Sequence, residues 1–181
     1  MTATESSTLI VPCEPNDHTA QQNFMLTPSA SQRWVTQLIQ NNEAVPGTQD
    51  IFNITFTNNA KNPSIAKRQE AILVINIEDP DWEFFGNGVE YVTSESNCNY
   101  NISSVLSDDN RQLTITVQQV SFTYKYVSQS NPPADQVIEV QPSTEPQPLN
   151  IDFRYTAKQV STGKYYMSQD PRVVVDRPKE D

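Results

Sequence analysis

Two Asp-Pro peptide bonds, Asp79-Pro80 and Asp170-Pro171, carry the most distinctive chemistry in this chain. An aspartyl carboxyl can attack its own peptide carbonyl, and the departing nitrogen is a tertiary amide, easier to protonate than a secondary one. A fold speeds such an attack by holding the carboxyl in line with the carbonyl and supplying a proton donor. A second carboxyl, its pKa raised by burial or by like charge, is the expected acid. The same dipeptide is an ordinary strand stop, because Pro cannot donate to a ladder.

Other constellations offer less. His18, the single histidine, sits beside Asp17 and Glu14 in a segment without strand character. Cys13 and Cys98 are the two cysteines, and they pair only if the N-terminal segment folds back over the body. No His/Cys group has zinc-ligand spacing. Asp108-Asp109-Asn110 and Glu78-Asp79-Pro80-Asp81 are acidic turns without the alternating ligands of an EF-hand. Gly86-Asn87-Gly88 is followed by Val-Glu-Tyr rather than a helix, so it reads as a hairpin turn and not a phosphate loop. No cofactor and no metal are expected.

The elements that must position these residues are strands. From Ile51 onward the apolar period is two: Phe52, Ile54 and Phe56; Leu113, Ile115 and Val117; Val120, Phe122, Tyr124 and Tyr126; Leu149, Ile151, Phe153 and Tyr155. Ala71 to Ile77 is a near-continuous apolar run, as for a strand covered on both faces. Turn residues recur every 8–12 positions, the pattern of a sandwich or small barrel. Residues 128–148 hold five prolines and read as a connecting arm or an edge segment.

Residues 1–50 look different. To about Leu26 they read as an extended arm, with Thr8-Leu9-Ile10-Val11 as a short strand. Thr27 then suits a helix N-cap and Pro28 the first helical position, while Trp34, Val35, Leu38 and Ile39 make one stripe. That predicts a helix over about 28–42. The expected architecture is all-β: an antiparallel β-sandwich, immunoglobulin-like in layout, over 51–177, with an N-terminal arm over 1–50, the one short helix, and a charged tail over 178–181.

Composition narrows the partners. The 181 residues hold 12 Lys+Arg against 22 Asp+Glu, a formal net charge of −10. A grip on phosphates needs clustered cations, so neither nucleic acid nor an anionic membrane is an expected partner. The longest apolar run is far short of the roughly 20 residues of a membrane helix. The first residues lack a secretory leader's pattern, and two Cys suit reduced thiols, so a cytoplasmic location is expected.

The C-terminal piece Tyr165-Tyr166-Met167-Ser168-Gln169-Asp170-Pro171-Arg172-Val173-Val174-Val175 resembles the end of the DP-EP family, small bacterial all-β proteins with an Asp-Pro near the C-terminus. The resemblance implies self-cleavage of the aspartic type, with Asp170 and Pro171 as the cleavage pair. It carries over no other catalytic position.

Three functions are therefore on the table. The first is a non-enzymatic sandwich that works by binding, to copies of itself as a homo-oligomer or to another protein. The second is autoproteolysis at Asp170-Pro171. The third is carbohydrate binding through aromatics near Trp82, Phe84, Tyr124 and Tyr126.

Overall fold

A computed structural model describes residues 7–59, 61, 63–93, 96–97, 100–120, 126–127, 135–137, 139, 141–142 and 148–178. Two mixed sheets pack face to face as an all-β sandwich and do not close into a barrel. The first sheet contains β1 (Thr8–Val11), β5 (Ile51–Phe56), β7 (Trp82–Tyr91), β13 (Leu149–Gln159), β14 (Tyr165–Met167) and β15 (Arg172–Asp176). The second runs β4 (Glu43–Ala44), β3 (Val35–Gln40), β2 (Thr19–Thr27), β6 (Glu70–Asn76), β10 (Gln112–Gln118), β9 (Tyr100–Leu106) and β8 (Ser96–Asn97). A separate pair joins β11 (Tyr126–Val127) to β12 (Gln141–Pro142).

Period-two patterning builds the core. Every second residue of β5, β6, β10 and β13 points between the sheets, and Ile54, Leu73, Ile75, Leu113, Ile115 and Phe153 are essentially inaccessible. Phe24 of the second sheet meets Phe52 of the first edge-on at 4.9 Å between ring centroids. Phe52 in turn stacks near Phe153 at 6.2 Å. Trp34 and Trp82 close one end of the core at 6.0 Å. Burying a large side chain of this kind contributes roughly 1.5–3 kcal/mol.

Three expectations need correction. The sandwich is not purely antiparallel: β5 runs parallel to both β1 and β15, and β2 parallel to β6. Residues 1–50 are not an appended arm, since β1 pairs into the first sheet while β2, β3 and β4 build one side of the second. Nor is there a helix over 28–42. The stripe Trp34, Val35, Leu38, Ile39 also fits a strand, with Trp34, Thr36 and Leu38 inward and Val35, Gln37 and Ile39 outward. Thr36, buried but polar, hid the alternation, and the β-branched Val35, Thr36 and Ile39 favour the extended chain. Asn41 and Asn42, at φ 52° and 65°, form the tight turn from β3 to β4 rather than a helix end. The described helical element is a 3-10 segment at Pro63–Arg68.

A fourth correction concerns Gly86-Asn87-Gly88, which does not turn a hairpin. β7 continues through it, and the register on β13 jumps from Tyr155↔Val89 to Ala157↔Phe84. This is an enlarged bulge, four residues of β7 against Thr156 alone, pinned where the Thr156 hydroxyl donates to the Phe85 carbonyl at 2.9 Å. Gly86 and Gly88 both take positive φ, 61° and 77°. A Cβ at Gly88 would lie 2.9 Å from methyls of Leu106 and Leu113, whereas one at Gly86 meets nothing within 4 Å. Phe122 and Tyr124, and most of the Pro-rich segment, lie outside the described residues.

Gly86→Ala should therefore cost only the left-handed backbone penalty, roughly 1–2 kcal/mol. Gly88→Ala adds overpacking, typically about 1–3 kcal/mol more. Urea denaturation of the two variants measures both, and equal losses would refute the bulge geometry.

Candidate functional site

The strand-stop residues assemble one structured stretch. β14 and β15 lie along the same edge of β13, and 168–171 bridge them. Here the Ser168 amide still donates to the Tyr155 carbonyl at 3.0 Å, and a side chain supplies the return bond. The Tyr155 amide donates to the Ser168 hydroxyl oxygen at 2.9 Å, and that hydroxyl donates to the Gln169 carbonyl at 2.7 Å. At the far end of the bridge the Phe153 amide donates to the Pro171 carbonyl at 3.1 Å. Pro171 is buried, and its missing N–H marks where the β13 edge passes from β14 to β15.

Gln169 ties this stretch to the opposite sheet. Its Oε1 accepts from the Trp34 amide at 2.9 Å, and its Nε2 donates to the Trp34 carbonyl at 2.7 Å. The carboxamide thus acts as a one-residue strand partner at the start of β3. The same Nε2 donates to Asp50 Oδ1 at 3.0 Å, while Arg33 holds Asp50 Oδ2 at 2.8 Å.

Asp170 itself is half-exposed and paired with Arg154, whose Nη1 also donates to the Ser168 carbonyl at 3.0 Å. The other carboxylates tied to this stretch, Asp50 and Asp152, accept hydrogen bonds from Arg33 and Gln169 and from Arg172, respectively. All three carboxylates therefore face donors. The proton-donating second carboxyl that in-line cleavage calls for has no counterpart among these contacts.

The remaining candidates separate. Asp79 and Asp81 shape a turn: Asp79 Oδ1 accepts from the Asp81 amide at 2.9 Å. Asp81 then reaches the β13–β14 hairpin, accepting from the Ser161 hydroxyl and amide, each at 2.8 Å, and from Gln159 at 3.0 Å. The Ser161 hydroxyl first, then Gln159, lowers the Asp81 pKa from its ordinary value. His18 is partly buried, its ring 3.4 Å from the Glu14 carbonyl and its own carbonyl accepting from the Glu70 amide at 3.0 Å. Cys13 is buried, and Cys98 lies outside the described residues. Among the described residues no group of three His, Cys, Asp or Glu could hold a metal ion. Trp82 and Phe84 are 4% and 1% exposed, so neither offers a ring face to a sugar. No described helix is long and apolar enough to cross a membrane.

Two surface features were not legible from local sequence. A cavity of about 310 Å³ opens beside β3 and β5, lined by Thr36, Leu38, Val45, Asp50 and Ile51 among others. Tyr155 is fully buried nearby; desolvation raises its phenol pKa well above the usual range, the Thr36 hydroxyl opposing and Asp50 reinforcing. The second feature is the outer face of the second sheet. Strand registers align Ala44, Ile39, Asn23, Val74, Thr114 and Val105 as one row across six strands. The flanking rows are Gln, Asn, Thr, Ser, Ile and Met. Among the described strand residues pointing outward here, Glu70, at one end, carries the one charge. The outer face of the first sheet instead carries cross-strand charges: Arg172 on Asp152 at 2.5 Å, Lys158 near Glu83 at 3.9 Å, and Arg154 opposite Glu90.

Comparison with known proteins adds no relative: no protein-family profile matches the chain, and no curated protein matches it.

Two outcomes follow. Gln169→Ala should destabilise the fold by about 1–3 kcal/mol, because the Trp34 amide and carbonyl lose their partner; chemical denaturation measures the loss, and an unchanged midpoint would refute the clamp. Asp81, with its folded pKa depressed, contributes stability above its unfolded pKa near 3.8, and that contribution disappears as pH falls through the folded value. Amide exchange at Ser161 should accelerate across that acid window, and Asp81→Asn should flatten the response.

Proposed function

We propose that this protein is a non-enzymatic β-sandwich that acts by binding and that it associates with itself. The observation that carries the reading is the partition of charge between the two outer faces. A chain with net charge −10 repels its own copies. Among the described strand residues, one broad sheet face carries a single charge, Glu70 at its end, set against an opposite face crossed by ion pairs. Exposed strand faces of solitary domains ordinarily carry interspersed charges. An uncharged one suits contact with protein.

Self-cleavage at Asp170-Pro171 remains the competing reading, supported by the DP-EP resemblance of the C-terminal piece. The ion pair from Arg154 to Asp170 and the donors around Asp50 and Asp152 favour the binding reading over it.

Intact-mass spectrometry joined to size-exclusion light scattering tests both. The binding reading expects an unchanged mass of 20.4 kDa per chain after weeks at pH 5, and a particle heavier than one chain at high micromolar concentration. A product ending at Asp170 would overturn the non-enzymatic part. A monomer at every concentration would overturn self-association.

A further inference from the structure

We infer that the outer face of the seven-stranded sheet is the surface on which a second copy of this chain docks, sheet against sheet, about a two-fold axis passing near the Val74–Thr114 pair. The inference rests on the self-association reading and gives it a place and a geometry.

Four observations converge. The first is chemical. The row Ala44, Ile39, Asn23, Val74, Thr114, Val105 mixes aliphatic side chains with short amides and hydroxyls. Nothing in it must shed a charge's hydration on contact, so the desolvation penalty of a buried ion never arises. The second is exposure: Val105 is 65% accessible at one side of the row, and Asn23 is exposed near the other.

The third is size. Five strands of six or more residues, β3, β2, β6, β10 and β9, spaced about 4.8 Å apart and rising about 3.3 Å per residue, make a patch of roughly 20 by 20 Å, which the two-residue β4 and β8 extend at its sides. Corrugated by side chains, that is of the order of the ~800 Å² per partner in a standard interface. The fourth is electrostatic. With net charge −10, two copies meet most cheaply through the surface that carries almost none of that charge. A basic partner would seek the acidic surface elsewhere, whereas an identical chain fits the neutral face. A two-fold contact is self-complementary, and the uncharged row is symmetric enough in character to meet its own copy. Sheets stacked in this way sit about 10 Å apart.

The salt response follows from the same reasoning. Screening weakens charge repulsion between copies and leaves a neutral contact untouched. Association should therefore tighten, not loosen, between 50 mM and 500 mM salt.

Light scattering on the full chain and on two variants tests the assignment. Asn23→Lys combined with Val105→Lys places two cations per copy on the face at exposed positions. It should leave the circular dichroism spectrum unchanged and weaken dimerisation at least tenfold. Asn150→Lys, on the outer face of the first sheet, should leave dimerisation within twofold of the parent. A bis-maleimide reagent adds a readout that does not depend on a disruptive substitution: Thr114→Cys should give a covalent dimer beyond any formed by the parent, and Asn150→Cys should not. If the parent dimerises but the double-lysine variant does so equally well, or if Thr114→Cys fails to cross-link, the face is wrong and self-association stands. If the parent is monomeric throughout, both fail.

Discussion

The interdigitation of two apolar faces holds everything else in place. Phe24 edge-on to Phe52 and Trp34 against Trp82 are contacts between the sheets, and Phe52 against Phe153 extends the same cluster along the inner face of the first. Each depends on an unbroken period of two in strands far apart in sequence, because a one-residue slip would turn a whole row to solvent. The β7 bulge is the exception that keeps the rule. It inserts extra residues beside Thr156 and restores the alternation, so that Phe84 and Val89 both stay inward. Gly88 is there because the opposite sheet comes too close for a side chain.

A second tie joins the sheets through polar atoms. The Gln169 carboxamide copies a strand partner for Trp34, and the buried Arg177 guanidinium donates to Gln69 at 2.7 Å and to the Thr57 carbonyl at 3.2 Å. Gln69 in turn donates to the Val11 and Pro12 carbonyls, fixing the chain where it crosses from β1 toward β2. These are buried polar groups with partners, the condition under which burying them is tolerable. They explain why the first fifty residues belong to the fold. Asp170-Pro171 sits in the same framework, and the resemblance that singled it out remains a proposal about its chemistry.

Much of the architecture was legible because its cause is local. Phe52, Ile54 and Phe56, and Leu113, Ile115 and Val117, alternate cleanly, and all six are buried. The acidic turn at Ser107–Asn110 and the Gly163 turn were readable from turn chemistry and stand where expected. What failed had non-local causes. Thr36 is polar yet buried, because the other sheet covers it, and that erased the strand signal around Trp34. Parallel pairing of β2 with β6 and of β1 with β5 leaves no trace in either strand alone. The nearly uncharged face was invisible for the same reason. Asn23, Val74, Thr114 and Val105 are scattered in sequence, and only strand register sets them in one row.

Self-association places its contact on that row. The methyl groups of Ile72, Val74, Thr114 and Thr116 lie on the face, and that of Val174 lies on the opposite sheet. Methyl NMR spectra recorded across a hundredfold dilution address the central claim most directly. Concentration-dependent shifts are expected at the first four residues alone, with Val174 unmoved. Shifts centred instead on Val174, or none at any residue over the whole range, would contradict it.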